Sequence, residues 1–88
     1  MKIKNGFVLE QVGEHHLAVA TGALADEFHA LVRLNGTGAF LWNCLAASEQ
    51  TEDELVAALV RQYDVPSDVA RRDVAAFLET LRKNGILA

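Results

Sequence analysis

The chain has 88 residues, of which 51% are hydrophobic and 23% are charged, and this composition excludes an intrinsically disordered protein. The length predicts one domain over residues 1–88, because a chain this short builds a single hydrophobic core. Twelve acidic residues against eight basic ones give a net charge of -4, which argues against nucleic-acid binding, since phosphate contacts need a basic surface.

Three β-strands are predicted in the first part of the chain. Residues 7–12 and 16–20 are typical of strands, and Gly13-Glu14 between them suits a tight hairpin turn. Successive side chains that alternate between two faces predict a third strand over residues 28–34. Its two predicted faces are Phe28, Ala30, Val32 and Leu34 on one side, and His29, Leu31 and Arg33 on the other.

Three helices are predicted after the sheet. Asn35 or Thr37 can cap the first helix, and residues 51–54 have the spacing of a capping box for the second. Pro66 ends the second helix, and Ser67 is expected to cap the third. Asn84-Gly85 is a strong stop signal, after which Ile86 and Leu87 can fold back on the core.

The apolar residues of each predicted helix recur at helical spacing and indicate its buried face. These faces are Gly38, Leu41, Trp42 and Leu45; Leu55, Val56, Leu59, Val60 and Tyr63; and Ala70, Val74, Phe77, Leu78 and Leu81. The predicted fold class is therefore α+β, with a three-stranded antiparallel sheet followed by three helices.

No residue pattern predicts catalysis, a metal or a cofactor. His15 and His16 are adjacent and would face opposite sides of a strand, so they are poorly placed to share a metal. The glycines around Thr37 lack the Lys-Ser/Thr pair of a phosphate loop. The single cysteine, Cys44, excludes an intramolecular disulfide. With no signal peptide and no membrane-spanning apolar run, the expected location is the cytoplasm.

Two surfaces remain as candidates for binding a partner. The first is the third strand, which carries apolar side chains on both faces and could pair with an added peptide strand if it lies at the sheet edge. Its residues are Ala30, Leu31, Val32, Arg33 and Leu34. The alternative is that Leu31 packs under a helix, and the pattern leaves both open.

The second surface is a stripe along the last helix, small and apolar at its centre and basic at its ends. Arg71, Ala75, Leu78 and Arg82 share this stripe, and the two arginines could meet carboxylates of a bound peptide. The alternative is an ordinary solvated helix face with intrahelical ion pairs. Those pairs would be Asp68 with Arg72 and Glu79 with Lys83.

Four stretches of the sequence resemble the PqqD-like family, named for a small protein of pyrroloquinoline quinone biosynthesis. Residues 34–42, LNGTGAFLW, resemble the signature Leu-Asn-x-x-Gly-x-x-(Ile/Leu)-Trp. Residues 51–54 are similar to its Thr-x-x-Glu helix start, and residues 63–65 to its Tyr-Asp-Val. The ending, residues 70–87, matches at Ala70, Asp73, Val74, Phe77, Leu78, Leu81, Gly85, Ile86 and Leu87.

This resemblance implies a winged-helix-turn-helix-like domain that recognises the leader of a ribosomally made, post-translationally modified peptide. It implies strand addition beside the third strand, in a groove bounded by the third helix. It also implies a non-enzymatic adaptor whose partner, a radical S-adenosylmethionine enzyme, performs the chemistry.

Two other functions stay open at this point. A winged-helix DNA-binding protein would read DNA with its last helix, through Arg71, Arg72, Arg82 and Lys83. A homodimeric interaction module would pair its third strand with that of a second copy.

Overall fold

The computed structural model of the chain describes residues 1–22 and 32–88. These residues form three strands, β1 (Phe7–Val12), β2 (His15–Ala20) and β3 (Val32–Leu34). Three helices follow, α1 (Gly36–Ala47), α2 (Glu52–Tyr63) and α3 (Ser67–Lys83). The predicted α+β class is confirmed. The predicted strand residues 28–31 lie outside the described residues.

The sheet is antiparallel, in the order β1-β2-β3, and its middle strand links the other two. Gly13 makes the turn between β1 and β2 with a φ of 63°, a conformation that favours glycine. Leu17 on β2 stands opposite Arg33 on β3, and Ala18 opposite Val32. Because neighbouring residues of a strand face opposite sides, Val32 and Leu34 are buried against the core while Arg33 is exposed.

A capped junction fixes the point where β3 ends and α1 begins. The side-chain oxygen of Asn35 accepts a hydrogen bond from the backbone N–H of Gly38 at 2.8 Å, so Asn35, and not Thr37, caps α1. A Cβ added to Gly38 would lie 3.0 Å from that oxygen and 3.3 Å from Cβ of Leu34. The Leu-Asn-x-x-Gly pattern therefore has a local physical cause.

The capping box predicted for α2 is confirmed, whereas the cap predicted for α3 is wrong. The Thr51 hydroxyl accepts from the Glu54 N–H at 3.1 Å, and the Glu54 carboxylate accepts from the Thr51 N–H at 2.9 Å. Pro66 occupies the cap position of α3 and forms no side-chain cap bond. Ser67 is already the first helical residue, one position past the place from which a hydroxyl caps a helix.

The core lies between the inner face of the sheet and the three helices. The predicted buried faces of α1 and α3 are confirmed, and on α2 Leu55, Val56 and Leu59 are buried. Tyr63 is an exception, since 42% of its surface is exposed. Its ring packs edge-on against Phe40, and its hydroxyl donates to the Gly36 carbonyl at 3.4 Å.

Backbone hydrogen bonds hold the first and last residues of the chain together beside this core. Gly85 ends α3 with a φ of 69°, which lets the chain turn back and bury Ile86. The Lys4 N–H then donates to the Ile86 carbonyl at 2.7 Å, and the Ala88 N–H donates to the Lys2 carbonyl at 3.0 Å. The predicted return of the C-terminus to the core is confirmed.

Replacing Thr51 by alanine removes the hydroxyl of the capping box and should lower the free energy of unfolding by about 1 kcal/mol. Ser67→Ala is the matched control, because it removes a hydroxyl at a helix start that forms no cap bond, and we expect its effect to be near zero. Equilibrium unfolding in urea measures both changes. Equal losses in the two variants would contradict the assigned caps.

Candidate functional site

One edge of β3 is open within the described part of the chain. β2 pairs with β3 on one side, and no strand of residues 1–22 or 32–88 pairs with its other side. In an antiparallel pair, successive residues direct their backbone N–H and C=O alternately toward and away from the partner strand. The open edge of β3 therefore offers hydrogen-bonding groups that an added strand can satisfy.

A groove of about 700 Å³ lies between the ends of β2 and β3 and the last helix. Arg33, Leu34, His15 and His16 line it from the sheet, and the start of α1 closes one end. Asp73, Ala76, Phe77 and Thr80 line it from α3. Three core residues, Leu34, Leu41 and Phe77, form the apolar part of its lining, which is called its floor below.

The rotation of α3 decides which of its residues reach this groove. Ala70, Val74 and Leu81 are fully buried and mark the centre of the face that packs on the core. At roughly 100° of rotation per residue, Asp73, Ala76 and Thr80 lie on one flank of that face. Arg71, Ala75 and Arg82 lie on the other flank and do not line the groove.

The predicted stripe on α3 therefore stands away from β3. Arg71 bonds to Asp53 of α2 at 3.1 Å, and Arg82 bonds to Glu79 at 2.7 Å. Ala75 is exposed, but only 2% of Leu78 is. Of the two places predicted for Leu78, the buried face is therefore confirmed and the outer surface of the stripe is wrong. Leu78 belongs to the core because its position falls within the arc that packs against the other helices. Peptide contacts by these four residues stay a prediction.

The residues predicted on the third strand are only partly placed. Val32 and Leu34 are buried, and Arg33 is exposed on the outer face and lines the groove. Ala30 and Leu31 lie outside the described residues, so the apolar outer face that Leu31 would create stays a prediction.

The groove is lined by the basic side chain of Arg33 and by two acidic side chains, Glu14 and Asp73, and Arg33 forms an ion pair with neither of them. Nη2 of Arg33 lies 2.6 Å from Nδ1 of His15, which accepts a hydrogen bond when the ring proton is on Nε2. Within the described residues, no carboxylate lies within 4.0 Å of the Arg33 guanidinium, and no basic group lies within 4.0 Å of Asp73. Both side chains are exposed and are available to a ligand.

The histidines of β2 and the single cysteine are poorly placed for chemistry. His15 and His16 face opposite sides of β2, as predicted. Across residues 1–22 and 32–88, no group of His, Cys, Asp and Glu side chains could hold a metal ion. Cys44 is half-buried in α1, and burial raises the pKa of its thiol. None of the described helices combines the length and the apolar character needed to cross a membrane.

Sequence reasoning missed the residues that α3 presents to the groove. Asp73, Ala76, Phe77 and Thr80 recur at i, i+3, i+4 and i+7, which is helical spacing, like that of the stripe on the other flank. This spacing indicates a second stripe on α3, but the sequence does not indicate which flank of the helix meets the sheet. His15 and His16 stand out in the sequence only as possible metal ligands, and the structure places both on the groove wall.

Replacing Leu78 by aspartate should unfold the domain, because it puts an unpaired carboxylate into the core and removes a buried side chain. The lost leucine alone is worth about 2–5 kcal/mol of the free energy of unfolding, and burial of the charge adds to that loss. Ala75→Asp is the matched control on the same helix. It should change stability by less than about 1 kcal/mol, since residue 75 is exposed. A folded Leu78→Asp variant, seen by circular dichroism and urea unfolding, would contradict this placement.

Comparison with known proteins gives one family and two similar solved structures. The sequence model of the family described as coenzyme PQQ synthesis protein D (PqqD) matches residues 23–87. A comparison with curated protein sequences gives no match.

Both similar structures are complexes with a leader peptide. TbiB1 in complex with the TbiA(beta) leader peptide is 22% identical, with a TM-score of 0.75 over 99% of this chain and 94% of that one. Lasso peptide synthetase B1 complexed with the leader peptide is 20% identical, with a TM-score of 0.72 over 97% of this chain and 93% of that one. At these identities the two structures establish a common fold.

Proposed function

The chain belongs to the PqqD family, and from this membership and the groove beside β3 we propose that it is a non-catalytic adaptor for a precursor peptide. It binds the leader of a ribosomally made peptide as an added strand on the open edge of β3. The observation that carries this proposal is the unpaired edge of β3 together with a groove that is lined both by the end of β3 and by α3.

In strand addition, backbone contacts and side-chain contacts make different contributions to binding. The open edge of β3 bonds to the backbone of the leader and supplies affinity without regard to its sequence. Alternate side chains of the leader then enter the groove over Leu34, Phe77 and Ala76, where shape selects among peptides. A leader that is disordered before binding loses conformational entropy when it becomes a strand, so we expect moderate affinity.

The two similar structures support leader binding, because each of them is a complex of a leader peptide with a protein of the same fold. Within the proposal, residues 1–88 act as one peptide-recognition domain in the cytoplasm. The chemistry belongs to a radical S-adenosylmethionine enzyme, to which the adaptor brings its peptide. Holding leader and enzyme together raises the effective concentration of the segment to be modified.

The ion pairs of α3 weigh against the DNA-binding alternative. Arg71 and Arg82, two of the four basic residues of the supposed reading helix, are bonded to Asp53 and Glu79. Their charge is therefore partly neutralised before any phosphate approaches. A homodimer formed through β3 would occupy the same edge as the peptide, so peptide binding and dimerisation would compete.

Replacing Ala76 by tryptophan should weaken leader binding at least tenfold, because the indole fills the groove from the α3 wall. Ala75→Trp is the matched control, since it makes the same change at the next residue, on the flank that faces away from β3. The probes are synthetic peptides that tile the short reading frames adjoining the gene, and fluorescence anisotropy measures their affinity. Urea unfolding checks that both variants remain folded.

The two variants separate the two flanks of α3. Loss of binding in Ala76→Trp alone supports the groove as the site of peptide binding. Loss in Ala75→Trp alone would place the peptide on the stripe with Arg71 and Arg82 and would contradict the proposal. The absence of any bound peptide would contradict the adaptor function itself.

A further inference from the structure

We infer that the bound peptide carries an acidic side chain opposite Arg33, between two residues whose side chains turn into the groove. The inference rests on the proposed function and deepens it by naming the class of peptide. The preferred segment is extended and has the order apolar, acidic, apolar.

The alternation of β3 sets this order. Arg33 is exposed on the outer face of the sheet, whereas Val32 and Leu34 on either side of it face the core. In an antiparallel pair, directly opposite residues place their side chains on the same face, with Cβ atoms about 4.5–5.5 Å apart. The guest residue opposite Arg33 therefore shares its outer face, and the guest's two neighbours face inward.

The Arg33 guanidinium is held in place but keeps donors free for a carboxylate. Its contact with Nδ1 of His15 occupies one of its five N–H donors. No carboxylate of the described residues lies within 4.0 Å of it, although Glu14 and Asp73 line the same groove. Opposite charges at directly opposed positions of two strands attract each other, so an acidic guest residue is favoured there.

Asp73 disfavours the same acid on the inner face of the guest strand. Its exposed carboxylate is the charged group that α3 places on the groove wall, where its neighbours are Ala76, Phe77 and Thr80. A guest carboxylate that turned inward toward α3 would approach the like charge of Asp73 and the apolar floor, where it would also lose solvation. Arg33 on the sheet and Asp73 on α3 therefore both favour a guest strand with an acidic residue on its outer face and apolar residues on its inner face.

This assignment replaces the basic residues expected from the sequence. Arg71 and Arg82 lie on the flank of α3 away from β3, and each already bonds to a carboxylate of this chain. Arg33 sits on the strand that receives the guest, and His15 of β2 is its described contact. The guest carboxylate consequently meets the sheet and not the helix.

A displayed library of random dodecapeptides tests the inference even though the sequence of the leader is unidentified. Peptides selected on the unchanged protein should share an acidic residue flanked by apolar ones, and peptides selected on Arg33→Glu should carry lysine or arginine at that place. A selected acidic peptide should bind Arg33→Glu roughly threefold to tenfold more weakly, the scale of an exposed ion pair replaced by like charges. Exchanging its acid for lysine should restore binding to that variant.

The control is Arg61→Glu, which makes the same change in net charge at an exposed position of α2 outside the groove. It should leave the affinity of the acidic peptide within about twofold, because Arg61 does not line the groove and salt weakens interactions between exposed charges that are not in contact. An equal loss in Arg61→Glu would attribute the effect to overall charge and would overturn the inference.

Two further outcomes separate this inference from the proposed function. In the first, the selected peptides lose binding in Ala76→Trp, but they show no preference for an acidic residue, or they keep that preference when selected on Arg33→Glu. This result would overturn the inference and leave the adaptor function in place. If no selected peptide lost binding in Ala76→Trp, the groove would not be the peptide site. In that case the proposed function and this inference would fail together.

Discussion

The packing of α3 on the core is the constraint from which the candidate site follows. Ala70, Val74 and Leu81 are fully buried, and they leave the helix no freedom to rotate without exposing apolar surface. With the rotation fixed, one flank of α3 must face β3 and the other must face α2. The first flank makes the groove wall, and the second bonds to α2 through Arg71 and Asp53.

The other wall of the groove depends on the junction between β3 and α1. Asn35 caps α1 through the Gly38 N–H, and the lack of a side chain at Gly38 lets Leu34 pack closely beside it. This junction fixes the end of β3 relative to the helix that follows. The open edge of β3 is thus presented by elements whose positions are set by burial and capping.

Most of the fold could be predicted from the sequence because its signals are local. Strand alternation, the hairpin glycine Gly13, the capping box at Thr51 and the stop at Gly85 each act within a few residues, and the structure confirms the last three directly. The errors concern Ser67, whose capping position is one residue off, and Tyr63, whose helical spacing alone suggests burial. Family resemblance then indicates peptide binding between the third strand and the third helix.

The flank of α3 that lines the groove could not be predicted from local signals. Two stripes at helical spacing border its buried arc, and the basic ends of one stripe make it the more attractive surface. Which stripe meets the sheet is set by the relative orientation of distant elements, and no local pattern encodes that orientation. The place of Ala76 on the groove wall therefore emerges only from the packed structure.

The central claim is that a guest backbone completes the sheet at β3, and nuclear Overhauser contacts in the labelled complex test it most directly. With a bound leader peptide, the account predicts cross-strand contacts between backbone protons of the peptide and those of Val32, Arg33 and Leu34. Contacts confined to the Arg71 and Ala75 flank of α3, with none to the backbone of β3, would contradict it.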